Sequence, residues 1–235
     1  MAMGMALECD FGSSPEDTIE VHFIDTPTDR LCSKVVFPLN GWMFPYRMGG
    51  NVGVVGQAVT AAELRETTER ILKDCGERYG GTTARSPVTA HPIPLYPRDR
   101  VHSRRTVLIG DAAGFANPFT GEGMSYAFES ANLAASAVEG MLRDGKNLDV
   151  YAAGCRRRIL NDLSSAALLG PILHWLMGKV ELSSFFDQVK QNDSIMKACS
   201  GIARGESDWR NLLGKMAPRT ISYLLLNNRL IRGKA

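Results

Sequence analysis

One segment of the chain combines an acidic residue with several glycines in a pattern that suits ligand binding. The apolar run 106–109 leads directly into Asp111, and a glycine-rich loop follows. A carboxylate at the end of a strand can accept hydrogen bonds from sugar or polyol hydroxyls. Glycines let backbone approach a ligand closely or adopt positive φ. The glycines concerned are Gly110, Gly114, Gly121 and Gly123. The segment predicts a site for a nucleotide-like cofactor that carries a polyol.

A helix is predicted directly after this loop. Apolar residues recur at helical spacing from Met124 to Leu142, and Gly145 follows as a helix-ending glycine. A helix N-terminus presents unpaired N–H groups and the positive end of its dipole, which suits a phosphate or an electron-rich ring edge. Pro118 and residues 120–123 would then line a flat ring at the helix start. The run 105–110 is typical of a parallel strand buried on both faces, so 110–123 is predicted to join a strand to a helix.

The residues before this segment predict a sheet and one helix. Short β-rich runs cover 18–25, 34–37, 41–46 and 51–57, which indicates three or four antiparallel strands. Thr60 and Glu63 form a capping-box pattern, and the apolar stripe that follows predicts a helix ending near Gly76. Three prolines within 82–96 favour an extended edge segment. The spacing Gly50-x-x-Gly53-x-x-Gly56 is wrong for a dinucleotide loop and predicts a packed strand.

The residues after Asn147 predict a helical region, broken at Pro171, around 201–205 and at Pro218. We therefore expect three parts: a β-rich substrate or catalytic part over 1–100, a strand–turn–helix over 101–146, and a helical region over 147–235. No apolar stretch is long enough to span a bilayer.

The composition disfavours several classes of function. The 235 residues include 27 basic and 25 acidic side chains, for a formal charge of +2, which disfavours a nucleic-acid partner. Five scattered cysteines without a C-x-x-C pattern suggest neither a disulfide framework nor a zinc site, and fit a reducing cytoplasm. The four histidines have no partner at metal spacing, so no metal is expected. Arg156–Arg158, with basic residues near the C-terminus, would suit peripheral contact with anionic lipid headgroups.

The sequence from Gly110 to Met124 closely resembles the second flavin-binding motif of the geranylgeranyl reductase family, FAD-dependent enzymes that saturate isoprenoid double bonds. Residues 42–45 (WMFP) and 51–56 (NVGVVG) are similar to two further family signatures, and 91–95 is similar to a third. Asn40 departs from the pattern, since the family has tyrosine there. The similarities cover roughly residues 1–142.

This resemblance implies a cofactor, a substrate and the residues that bind them. FAD would be held by Asp111, which bonds the ribityl chain. The backbone from Thr120 to Met124, which includes Glu122, would face the ring and diphosphate. The isoprenoid chain would contact Trp42, Phe44, Pro45 and Phe119. NAD(P)H or another reductant would supply electrons. No His, Cys or carboxylate has the sequence context of a proton donor, so no catalytic residue is assigned.

The family's first strand and G-x-G-x-x-G turn have no counterpart in this sequence. We therefore expect a mixed α+β and α/β fold: a partial FAD-binding, glutathione-reductase-like fold with an antiparallel substrate-domain sheet and a helical C-terminal tail. A second chain could supply the other half of the cofactor site. Two alternatives stay open: an aromatic hydroxylase or halogenase, although such hydroxylases usually carry histidine where Gly114 stands, and a non-catalytic subunit that needs a partner.

Overall fold

One antiparallel sheet dominates the N-terminal part of the molecule. The computed structural model describes residues 2–15, 20–23, 40–47, 49–57, 59–177, 190–203 and 207–215. The strands are β1 (Ala2–Phe11), β2 (Glu20–Phe23), β3 (Asn40–Tyr46), β4 (Gly49–Gly56), β5 (Thr82–Ala84) and β6 (Thr89–Ile93). Their order is β2-β3-β4-β1-β5, and β6 pairs with β1 beside β5. The antiparallel strands predicted over 41–46 and 51–57 are confirmed, whereas the one over 34–37 lies outside the described residues.

Strand β1 was not predicted, although its sequence carries a strand signal. Met5, Leu7, Cys9 and Phe11 alternate along it, and all four are buried in one core cluster with Val52 and Val54 of β4. The register pairs Met5 with Val54 and Cys9 with Gly50. The first strand of the chain is thus central to the sheet.

Helix α1 (Ala61–Arg78) covers one face of this sheet and starts as predicted. The Thr60 hydroxyl accepts the Glu63 N–H at 3.2 Å, and the Glu63 carboxylate accepts the Thr60 N–H at 2.8 Å. Leu64, Ile71 and Cys75 pack into the core cluster of β1 and β4. The helix ends at Arg78, two residues beyond the predicted Gly76.

The parallel strand predicted over 105–110 is wrong. Val107 forms only an isolated bridge with His102, the Leu108 N–H donates to the Val101 carbonyl, and Ile109 is 41% exposed. A parallel strand needs neighbouring strands on its flanks. The residues that the structure describes bring none to this segment, so it forms a short loop that continues into a 3-10 turn at Gly110–Ala113.

The remaining helices form a second layer. They are α2 (Met124–Asp144), α3 (Asp149–Cys155), a π turn at Arg156–Leu160, α4 (Asn161–Met177), α5 (Asp193–Ala203) and α6 (209–215). Helix α2 ends at Gly145, whose φ of 64° matches the predicted helix-ending glycine. The break predicted at Pro171 is wrong, because α4 continues past it. One proline removes a single helical hydrogen bond, and the preceding turns of α4 are held by buried Ala166 and Leu169. Across the described parts of the chain, no helix combines the length and apolar character of a membrane span.

Candidate functional site

The carboxylate of Asp111 lies exposed at the start of helix α2. A β-carbon placed on Gly123 would lie 3.2 Å from Asp111 Oδ1, so the two residues are adjacent in space. The Asp111 side chain makes no hydrogen bond to any residue that the structure describes, and only its main-chain oxygen is used, by the Gly114 N–H at 2.9 Å. Asp111 is therefore no local cap, and its carboxylate is available to a ligand.

The first turn of α2 contains backbone N–H donors that have no recorded partner among the described residues. Gly123 is the N-cap residue and has no side-chain cap. Glu122 accepts the Ser125 N–H and hydroxyl, both at 2.8 Å. Among the described residues, no hydrogen-bond partner is recorded for the N–H of Gly123 or Met124. Within the described residues, the N–H donors of Gly123 and Met124 and the Asp111 carboxylate thus lie at the same helix end without a recorded partner.

Gly114 and Gly123 are glycine for two different structural reasons. Gly114 has a φ of +74°, and a β-carbon on it would lie 2.1 Å from the Tyr96 carbonyl oxygen. Any side chain there, histidine included, would clash with backbone unless the loop shifts. Gly123 has an ordinary negative φ of −132°, so its missing side chain keeps the space beside Asp111 open. Gly110 and Gly121 also have positive φ.

Asn117 organises the loop, and sequence reasoning did not single it out. The Asn117 side chain is fully buried, and its Oδ1 accepts the N–H of Phe119 at 2.8 Å and of Thr120 at 3.1 Å. Its main-chain N–H donates to the Glu122 carbonyl at 2.7 Å, and its carbonyl accepts the Gly121 N–H. An Asn before Pro118 is a common turn-forming signal and could have identified this residue.

The aromatic face of β3 lies against this loop. The Trp42 and Phe44 rings stack with centroids 6.1 Å apart, and Trp42 Nε1 donates to Asn51 Oδ1 at 2.8 Å. Trp42 packs against a small cluster that contains Ala116 of the loop. The nearby Pro45 is half-buried. The structure therefore brings Trp42 of β3 and Ala116 of the loop to one apolar cluster, while contact of Phe44 and Pro45 with a substrate stays a prediction.

Asn40 and Phe119 link the sheet to the loop. Asn40 Nδ2 donates to the Phe119 carbonyl at 3.3 Å, while Asn40 Oδ1 is buried and has no partner in the part of the chain that the structure describes. The Phe119 ring is 6% exposed and meets the Trp209 ring edge-on at 5.4 Å. Phe119 thus has a packing role, and its contact with substrate stays a prediction.

His22 has partners that the sequence did not reveal. It lies 3.0 Å from Glu20, and the Cys75 thiol lies 4.0 Å from the same carboxylate, so the three residues have metal-ligand spacing. Arg78 already occupies this cluster, 2.5 Å from Glu20, and Tyr79 donates to the other oxygen at 2.6 Å. Burial alone would raise the pKa of Glu20, but Tyr79 and Arg78 outweigh it and lower that pKa. The carboxylate is therefore satisfied without a metal ion.

Comparisons with known proteins agree with the resemblance seen in the sequence. No family model matches the chain. The chain is 34% identical to the chloroplastic geranylgeranyl diphosphate reductase of Arabidopsis thaliana over 110 residues, which is 46% of this chain and 23% of that enzyme. Its fold superposes on a geranylgeranyl bacteriochlorophyll reductase-like protein of Thermoplasma acidophilum with a TM-score of 0.61, at 14% identity, over 95% of this chain and 54% of the other.

A halogenating enzyme shares the same fold. The flavin-dependent brominase Bmp2 superposes with a TM-score of 0.59 at 15% identity, over 91% of this chain and 50% of that one. The chain spans about a quarter of the length of the plant reductase that it matches and about half of each solved structure. The predicted mixed α and β fold with an antiparallel sheet is confirmed. In sequence this chain resembles the geranylgeranyl diphosphate reductases, and in fold it resembles a reductase-like protein and a flavin-dependent brominase.

Proposed function

We propose that this chain is part of an FAD-dependent reductase that saturates double bonds of a geranylgeranyl or related isoprenoid chain. The observation that carries the proposal is the Asp111 carboxylate, unpaired among the described residues, beside the N–H groups of Gly123 and Met124, which have no recorded partner there. The chain's similarity to a reductase of this class supports it. A polyol and an anionic group on one ligand would satisfy both features.

The residues present fit a flavin. Asp111 would accept a hydrogen bond from a ribityl hydroxyl, and the N–H groups of Gly123 and Met124 would donate to the ring edge or diphosphate. The open space at Gly123 admits the ligand next to the backbone, where a β-carbon would be only 3.2 Å from Asp111 Oδ1. Residues 118–122 would border the ring. Once bound by the protein and reduced by NAD(P)H or another donor, FAD would supply the hydride for alkene reduction.

The protein's own contribution to turnover would be orientation and exclusion of water. The stacked Trp42 and Phe44 rings would give an apolar wall beside the cluster that Trp42 shares with Ala116 of the loop, as an isoprenoid chain requires. Pro45 follows at the end of this strand, and its contact with substrate is part of the proposal. Phe119 would extend that wall from the loop side. We assign no proton donor, because among the described residues we identify no carboxylate, histidine or thiol at this wall that would donate a proton.

Flavin binding tests the proposal directly. Purified wild-type protein is titrated with FAD, and binding is followed by quenching of flavin fluorescence. Asp111→Ala is expected to weaken binding by about tenfold to a hundredfold, because one charge-assisted hydrogen bond is worth about 1.5–3 kcal/mol. Asp74→Ala is the matched control, since Asp74 is an exposed aspartate on α1. Equal affinity of Asp111→Ala and wild type would refute the assigned role.

A turnover experiment separates the reductase from the halogenase. Bound flavin is reduced anaerobically, and geranylgeranyl compounds are added while the flavin absorbance is followed. Reoxidation with formation of a saturated product supports the reductase. Reoxidation only with oxygen and halide would favour the brominase-like alternative, for which the shared fold is the supporting observation.

We also propose that a second polypeptide segment completes the adenosine half of the site. Apolar side chains around the loop are left exposed, with Ile109 at 41% and Phe128 at 74%. If the described loop holds only the flavin half, riboflavin and FAD should bind this chain with similar affinity. FAD binding more than about a hundredfold tighter than riboflavin would show that this chain holds the adenosine half itself, and would contradict the proposal.

A further inference from the structure

A buried hydrogen-bond chain connects the candidate flavin loop to helix α4. Asn117 Nδ2 donates to the Tyr126 hydroxyl at 3.4 Å, and that hydroxyl donates to Asp162 Oδ2 at 2.7 Å. Tyr126 is in the first turn of α2, and Asp162 is in the first turn of α4. Burial, with the hydrogen bond to Asp162, raises the pKa of Tyr126, so its hydroxyl stays protonated and remains a donor.

The same aspartate also reaches helix α6. Asp162 Oδ1 accepts the main-chain N–H of Trp209, 47 residues away in the sequence. The two oxygens of Asp162 therefore serve two elements, one on the loop side and one in the C-terminal region. Because each oxygen has its own donor, a neutral amide of the same size could satisfy only one of the two.

Apolar contacts reinforce this connection. The Trp209 ring packs on Phe119, which is a member of a core cluster formed otherwise by α4, α5 and α6. A β-carbon on Gly170 would lie 3.2 Å from the Phe119 ring, so α4 approaches the loop closely at that residue. The other buried members of the cluster are Ala166, Leu169, Ile195, Ala198 and Leu212.

We infer that Asp162 and Trp209 are positioning residues of the proposed flavin site. Through Tyr126 and Phe119 they fix the loop in which Asn117 binds the N–H groups of Phe119 and Thr120. That loop leads into Gly123, where the unpaired donors and the Asp111 carboxylate meet. The C-terminal helices thus set the geometry in which a flavin is bound. The inference rests on the proposed function, although the mechanical link can be tested without a ligand.

The principal test compares Asp162→Asn with Asp208→Asn. Asp208 is an exposed acid at the start of helix α6, where it accepts the Asn211 N–H at 2.8 Å, and no hydrogen bond from it to the described loop residues is recorded. Riboflavin affinity is measured by fluorescence quenching, and urea unfolding gives the stability of each variant. We expect Asp162→Asn to weaken riboflavin binding about tenfold and Asp208→Asn to change it less than twofold.

Amide hydrogen exchange tests the mechanical link without a ligand, while riboflavin affinity is the readout that a merely structural role would not move. Exchange at Phe119 and Thr120 should accelerate at least about tenfold in Asp162→Asn under conditions where global unfolding does not limit exchange. Tyr126→Phe keeps the buried ring, removes the connecting hydroxyl and should act in the same direction, which provides a second variant if Asp162→Asn does not fold.

The outcomes separate the two proposals. Wild-type affinity for riboflavin together with unchanged exchange in the variants would overturn the inference. Faster exchange at Phe119 and Thr120 in a protein that binds no flavin even as wild type would refute the proposed function while keeping the positioning role. Faster exchange with wild-type riboflavin affinity would also overturn the inference, because the loop would then move without consequence for the ligand.

Discussion

Replacing Gly114 by alanine should destabilise the protein far more than the same change at Gly145. Both glycines have left-handed backbone, with φ of 74° and 64°. A β-carbon on Gly145 would meet nothing within 4 Å, whereas one on Gly114 would lie 2.1 Å from the Tyr96 carbonyl oxygen and 2.9 Å from its carbon. The two positions therefore share the backbone conformation but differ in steric contact, because Gly114 is buried and Gly145 is exposed.

The magnitudes follow from this difference. The left-handed conformation costs an alanine about 1–2 kcal/mol at either position. At Gly114 the β-carbon would also lie well inside the 3.0 Å below which real β-carbons are essentially never found, and the neighbour is rigid backbone. Relief of such a clash costs about 1–3 kcal/mol more. The free energy of unfolding should thus fall by about 1–2 kcal/mol in Gly145→Ala and by roughly 2–5 kcal/mol in Gly114→Ala.

Urea unfolding followed by circular dichroism measures both variants against wild type. Thermal unfolding gives an independent measure, since 1 kcal/mol corresponds to about 2–4 °C for a chain of this size. Equal destabilisation of the two variants would refute the steric argument, and with it the path of the Asp111 loop past Tyr96.

Three further predictions concern other parts of the molecule. Trp42→Ala should lower turnover of an isoprenoid substrate by about tenfold or more while flavin content changes less than twofold, and equal turnover would remove Trp42 from the site. Glu20→Gln should lower the free energy of unfolding by about 1–2 kcal/mol at pH 7. Because the pKa of folded Glu20 lies below its ordinary 4.5, the wild-type advantage should persist above pH 4.5 and disappear as pH falls through that lower value; a constant difference in urea titrations across this range would contradict the assignment. Burial raises the pKa of Cys9 and Cys75 to about 11, so iodoacetamide at pH 8 should label both roughly 100-fold more slowly in native than in unfolded protein, as mass spectrometry would show.

Features encoded by neighbouring residues were predictable from the sequence. The capping box of Thr60 and Glu63 involves residues three apart, and the end of α2 at Gly145 depends on one backbone conformation. The strands over 40–46 and 49–56 follow from alternation and flanking turn residues. In each case the energy that decides the structure is local.

Features that depend on distant partners were not predictable. The segment 105–110 has the composition of a buried strand, but no neighbouring strand of the described chain pairs along it, and composition alone does not supply one. His22 meets Cys75 because helix α1 packs against the sheet that contains β2, so two residues far apart in the sequence come together. Asp162 serves Tyr126 and Trp209, which lie 36 residues before it and 47 after it. The candidate site was predictable as a loop, while the residues that hold the loop required the fold.

Strand β1 has a consequence for synthesis of the protein. It bonds to β4 along one edge and to β5 and β6 along the other, so its partners extend from Gly49 to Ile93. During synthesis β1 leaves the ribosome before all of these partners, and the last of them, β6, follows about eighty residues later. Until β6 arrives, the backbone donors and acceptors on that edge of β1 can only bind water or a chaperone. The sheet therefore closes after most of its sequence has left the exit tunnel, and the nascent chain before that moment is the state most exposed to aggregation.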